Sequence, residues 1–129
     1  MAADVSQLDR LEKVGVGLIK VQLELANTDP RNAVHDIWAL GYCFGIFDAI
    51  VQRAKLDQYT EGAALLTIGF GLLLSDIDEG ASRFGYAMDR QTHPVFVAGN
   101  KRAGGEVFDW FANTDRVPMA LRTHFSPTM

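Results

Sequence analysis

The chain is poor in cysteine, in clustered positive charge and in strand-like alternation, and each shortage removes a class of protein. Cys43 is the one cysteine among 129 residues, so no disulfide can form within the chain. Its neighbours Tyr42 and Phe44 mark it as a buried thiol that behaves as a small hydrophobe. No positive charge or helix N-terminus adjoins it, which argues against a reactive thiolate. The 12 basic side chains are outnumbered by 16 acidic ones and lie scattered from Arg10 to Arg122, with no cluster longer than Lys101-Arg102. A phosphate backbone would meet no basic stripe on a surface of net charge −4, so nucleic acid is not expected as a partner and a basic protein is easier to accommodate. The longest uncharged run, Gly62 to Leu74, is well short of the roughly 20 apolar residues of a membrane span. The other apolar segment, Ile37 to Val51, carries Asp48, so no membrane is expected either. The stretch MAADVSQLDR has neither a basic n-region nor an apolar h-region, which predicts a cytoplasmic protein.

What is present is helical periodicity. Apolar residues make up 48% and charged residues 22%, the balance of a globular chain, and the length suits one core. A single domain over 1–129 is therefore expected. A first helix is predicted from about Asp4 to Ala26, where Leu8, Leu11, Gly15, Leu18, Ile19, Leu23 and Ala26 recur at helical spacing. Ser6 is its candidate cap, with Asp9 in the capping-box position. A second helix is predicted from Pro30 to Ala54. Its bulky apolar side chains point nearly all round, so it must be covered all round and is placed at the centre. One narrow side differs, because Gly41, Gly45, Asp48 and Gln52 fall within about 60° of one another.

A third helix, capped by Asp57, is predicted over about Gln58 to Leu74, with Gly69 and Gly71 marking close contact to another backbone. Ser75-Asp76-Ile77-Asp78-Glu79 supplies a cap and three first-turn carboxylates for a fourth helix ending near Arg90, which accounts for the acidic cluster without a metal. His93-Pro94 is a break. A fifth helix follows over about Val95 to Asn113, with Gly104-Gly105 expected to kink or split it. The remainder, about 114–129, reads as an irregular tail packed through Val117, Met119, Leu121 and Phe125. No repeat and no sustained alternation occurs. The expectation is an all-α protein: a compact bundle or orthogonal array of about five helices.

Signatures of chemistry are incomplete. His35-Asp36 resembles the paired residues of the HD phosphohydrolases, but that pattern needs a histidine upstream and none precedes His35, so the two are read as first-turn polar surface. His35, His93 and His124 are 58 and 31 residues apart, with no spacing that puts two ligands on one helical face. A calcium loop begun at Asp76 would hold Ala81 and Ala87 where glycine and glutamate are required. Gly15-Val16-Gly17 lies inside a helix, unlike a phosphate-cradling loop. No metal, cofactor or catalytic set is therefore assigned.

The sharpest site reading concerns Arg102 and Glu106, four residues apart on the fifth helix, with Asp109 on the same face. Buried, they could meet Asp48 or Gln52 in an internal polar network. Gly41, Gly45, Asp48, Gln52, Arg102 and Glu106 are thus the candidate ligand-binding residues, set against the plainer expectation that another helix fills the glycine groove. The function expected first is a non-enzymatic protein-interaction module that neutralises or escorts another protein. Homodimer formation is expected too, because so short a chain has little interior for Trp38, Trp110, Phe108 and Phe111. The alternative is a small-molecule-binding protein or enzyme using a groove around Asp48.

Overall fold

A computed structural model describes residues 5–127 and contains, among them, helices and no strand. The helices are α1 (Val5–Leu25), α2 (Pro30–Ala33), α3 (Ile37–Arg53), α4 (Glu61–Leu74), α5 (Ile77–Met88), α6 (Pro94–Ala112) and α7 (Ala120–Phe125). Five long helices and two short ones pack into the compact all-α arrangement that the periodicity predicts.

The central rod is α3. Every residue from Ala39 to Val51 is buried except Asp48, and the helix packs against α1, α4, α5, α6 and α7. Its most extensive partner is α6. The two run in the same direction: Gly41 faces Phe96, Gly45 faces Asn100, and further along Arg53 lies over the Phe111 ring. A Cβ on Gly41 would stand 2.1 Å from the Phe96 carbonyl oxygen, and one on Gly99 2.1 Å from that of Trp38. Only glycine lets the backbones come this close. The groove beside Gly41 and Gly45 is therefore filled by a helix, the plainer of the two expectations. On its other side α3 presents Phe47, whose ring would be struck by a Cβ on Gly15 of α1 or on Gly69 of α4. Helices α4 and α5 form an antiparallel pair, with Gly80 set against the Gly71 backbone.

Several boundaries differ from expectation, each for a local reason. The predicted helix from Pro30 to Ala54 is broken at Val34–Asp36, because the Asp36 carboxylate, in extended backbone, accepts from the Ala39 N–H and starts α3 afresh. His35 and Asp36 are thus a turn and a cap, not the polar surface of a first turn. Ser6 lies inside α1 and is not its cap; Asp4 lies outside the described residues. The Asp57 carboxylate accepts from the Tyr59 and Thr60 N–H groups, which holds a turn and delays α4 to Glu61. Asp76, rather than Ser75, caps α5, accepting from Asp78 and Glu79; Ser75 takes the left-handed conformation that ends α4. Helix α5 stops at Met88. Helix α6 opens on Pro94, with the His93 ring accepting from the Val95 N–H, and runs unbroken through Gly104-Gly105. The tail is only partly irregular, since it contains α7, whose Leu121 is fully buried.

The glycines divide into two kinds, and their substitution should show it. Gly99→Ala is expected to destabilise the fold by about 3 kcal/mol or more, because the obstacle is backbone and cannot step aside. Gly104 has nothing within 4 Å of the added methyl, so Gly104→Ala is expected to stabilise by up to about 1 kcal/mol through helix propensity. Urea unfolding reads both, and equal midpoints for the two variants would contradict this packing.

Candidate functional site

The six candidate residues do not converge. Gly41 and Gly45 lie under α6. Asp48, one turn beyond Gly45, escapes that cover and is half-buried at the edge of a cleft; it accepts a 2.9 Å hydrogen bond from the Gln52 side chain on the same helix. Arg102 is exposed and only loosely paired with Glu106, at 3.9 Å. It lines a shallow hollow with Trp38, Thr123 and His124 instead. Glu106 faces α7. The side of α6 that reaches the Asp48 cleft carries Asn100, and Arg102 and Glu106 are turned well round the helix from it. The expected link from Arg102 or Glu106 to Asp48 or Gln52 is therefore not made.

Glu106 does belong to an internal polar network, with partners that sequence reasoning missed. Gln22, almost fully buried on α1, donates through Nε2 to the Tyr42 hydroxyl at 3.1 Å. The Tyr42 hydroxyl in turn donates to Glu106 Oε1 at 2.5 Å. The same two side chains receive the start of α7: Gln22 Oε1 accepts from the Leu121 and Arg122 N–H groups, and the Glu106 carboxylate from those of Met119 and Ala120. Four successive backbone donors, which would otherwise be orphaned, are satisfied by side chains from α1 and α6. Burial, reinforced by the Glu106 carboxylate, raises the Tyr42 phenol well above its ordinary value and keeps it a donor.

The far end of α7 is held by a second set. His124 Nε2 meets Asp36 Oδ2 at 3.1 Å, and its ring stacks 4.4 Å from that of Trp38. Burial works against the Asp36 charge, but the Ala39 N–H and His124 outweigh it and hold the carboxyl below its usual range. Among the described residues no hydroxyl or thiol is hydrogen-bonded to this His–Asp pair. The nearby Thr123 hydroxyl donates to its own helix at Met119. Cys43 is buried, and burial pushes its thiol up to about 12, so the sulfur is an inert core atom. Among the described residues no group of three His, Cys, Asp or Glu side chains is arranged to hold a metal.

The Asp48 cleft has about 520 Å³ of space. Its floor and walls come from Phe44, Ala63, Leu66, Phe84 and Met88, and its rim carries Tyr59, Gln58, Gln91 and Asn100. No protein-family model, curated protein or solved structure matches the chain.

Two variants test the polar groups. Tyr42→Phe is expected to cost about 1–2 kcal/mol, since it removes the hydroxyl that joins Gln22 to Glu106 while Gln22 keeps its bond to the Leu18 carbonyl, and to speed amide exchange at Leu121 and Arg122; unchanged exchange there would contradict the docking role. Burial raises the Asp48 carboxyl above its ordinary value, against the opposing bond from Gln52. The folded state thus holds this proton more tightly than the unfolded chain. Its contribution to stability is complete below about pH 4 and is lost as pH rises through the higher folded value. Asp48→Asn is accordingly expected to be the more stable protein at neutral pH and to match the parent in acid. Parallel stability curves from acid to neutral pH would exclude the effect.

Proposed function

We propose that the chain is a non-enzymatic helical interaction module that pairs with a second copy of itself through the outer face of α4 and serves to hold another protein, as a neutralising or escort partner does. The observation that carries this reading is the composition of that face. Helix α4 has one charged residue, Glu61 in its first turn. Beyond it Ala64, Ile68 and Leu72 recur every four residues along the exposed side. Ile68 and Leu72 remain 39% and 40% accessible, and Ile77, set beside Gly71, 60%.

Apolar side chains in a row at the helical repeat are what a partner helix covers. The lack of charge along this side beyond Glu61 fits a second copy as that partner. A protein of net charge −4 repels itself over most of its surface, and the uncharged side of α4 is a place where two copies meet without bringing carboxylates together. A fourteen-residue helix offers a short strip, so the dimer is expected to be micromolar or weaker. The burial of Cys43 in the core supports a binding role over thiol chemistry.

Sedimentation equilibrium tests the pairing. The chain is expected to approach twice its mass of 14.2 kDa as concentration rises. The double variant Ile68→Asp, Leu72→Asp, at exposed positions, is expected to stay monomeric with its helical circular dichroism intact. A parent that is monomeric throughout, or a double variant that still pairs, would overturn the reading.

A further inference from the structure

We propose that the cleft beside Asp48 is a binding site for a small organic cation, a primary ammonium carried on a single aromatic ring. This does not rest on self-association. Ala63 and Leu66 face the cleft, whereas Ala64, Ile68 and Leu72 form the separate outer side of α4.

The walls determine the body of the ligand. Phe44 and Phe84 stand nearly parallel with centroids 6.3 Å apart, and Leu66, Ala63 and Met88 complete an apolar lining. Two large side chains at the cleft stay open to water, Tyr59 at 82% and Met88 at 47% exposure. A volume of about 520 Å³ lies within the range of small-molecule sites, which combine apolar walls with a few polar groups that fix orientation.

The polar groups determine the charge. Among the described residues Asp48 is the one carboxylate lining the cleft, and no lysine, arginine or histidine lines it. Gln58, Gln91 and Asn100 are neutral. Among the described residues the hydrogen bond to Asp48 comes from Gln52 alone, through Oδ2, which leaves Oδ1 free to accept. A half-buried carboxylate without a counter-ion is poorly compensated, and a ligand ammonium supplies both the missing charge and the missing donor. The partly exposed Phe84 and the exposed Tyr59 in the same lining favour a cation further. An anion would meet Asp48 unfavourably. A bare divalent metal would find one carboxylate where it needs several oxygen ligands, so the complementary ligand is organic.

The same ammonium is carried by a lysine side chain of another protein, but Phe44, Phe84 and Tyr59 favour a ring over an aliphatic stem. Titration of the full chain, followed through the Met88 methyl and Tyr59 ring NMR signals, distinguishes the sources. The probes are benzylammonium, benzyl alcohol and Nα-acetyl-lysine methylamide. Benzylammonium is expected to shift both signals saturably and to bind about tenfold tighter than the other two, the gain of one charge-assisted contact. Asp48→Asn, which keeps the side-chain shape, is expected to bring benzylammonium down to the level of the alcohol and leave the alcohol unchanged. Tyr59→Ala, at an exposed position outside the core, is expected to weaken benzylammonium with the fold intact. Equal binding of ammonium and alcohol, tighter binding of the lysine amide, retention of benzylammonium affinity in either variant, or no saturable shift at tens of millimolar would overturn the proposal.

Discussion

The fold depends on how closely α3 and α6 approach. Gly41 and Gly45 on one helix and Gly99 on the other remove the side chains that would hold the axes apart, and two backbones come into direct contact. This is demanding, because glycine in a helix forfeits about 1 kcal/mol relative to alanine; a position that tolerates a methyl group would gain by acquiring one. The return is a seam in which the two helices touch along their length, so that Phe44 meets Phe96 and Gly45 meets Ala103 inside the core. With α6 on the thin side of α3, the opposite side is left to Phe47. Its ring occupies the space that Gly15 on α1 and Gly69 on α4 leave open. The same device, a missing Cβ opposite bulk or backbone, thus joins α3 to three of its neighbours.

A second layer of order follows from that seam. Once α6 lies along α3, Glu106 is beside Tyr42, and Gln22 of α1 reaches the same hydroxyl from the other side. Gln22 and Glu106 then satisfy the four backbone donors that open α7. A buried network of this kind is stabilising only when complete, because each unpaired member carries its own desolvation penalty. Three helices far apart in the chain must be in place before the last can form.

That dependence explains what the sequence reveals and what it hides. The all-α class, the buried central helix, the break at His93-Pro94 and a capped helix start within Ser75–Glu79 were legible, because each is written in a few adjacent residues or in a period of 3.6. The interruption before Asp36 was not, since Pro30 gives an equally good helix start six residues earlier. Helix α7 was hidden for a different reason. Met119, at its N-cap, offers no side-chain hydrogen bond, and the groups that satisfy its first turn come from positions 22 and 106. Gly104-Gly105 read as a kink, yet nothing inserts into the helix there. Among the candidate residues, the glycine face and the singularity of Asp48 were visible as a pattern on one helix. The direction of Arg102 and Glu106 was not, because two helices with known faces can still be rotated against each other, and the rotation is set by the contact between Gly45 and Asn100.

These layers follow one order: glycine contact, central rod, polar latch, and the surfaces left at its edges. Asp48 is part of that order, being the first residue on the thin side of α3 that α6 does not cover, and the outer face of α4 is left over once Gly69 and Gly71 are used inside. Native-state hydrogen exchange of the full chain tests the ranking most directly. The amides from Leu40 to Val51 are predicted to exchange slowest, through global unfolding alone, with those of α6 facing the seam beside them and those of α7 opening earlier. If α3 exchanged faster than α1 or α5, or if α7 outlasted the seam, the α3–α6 contact would not be the foundation of this structure.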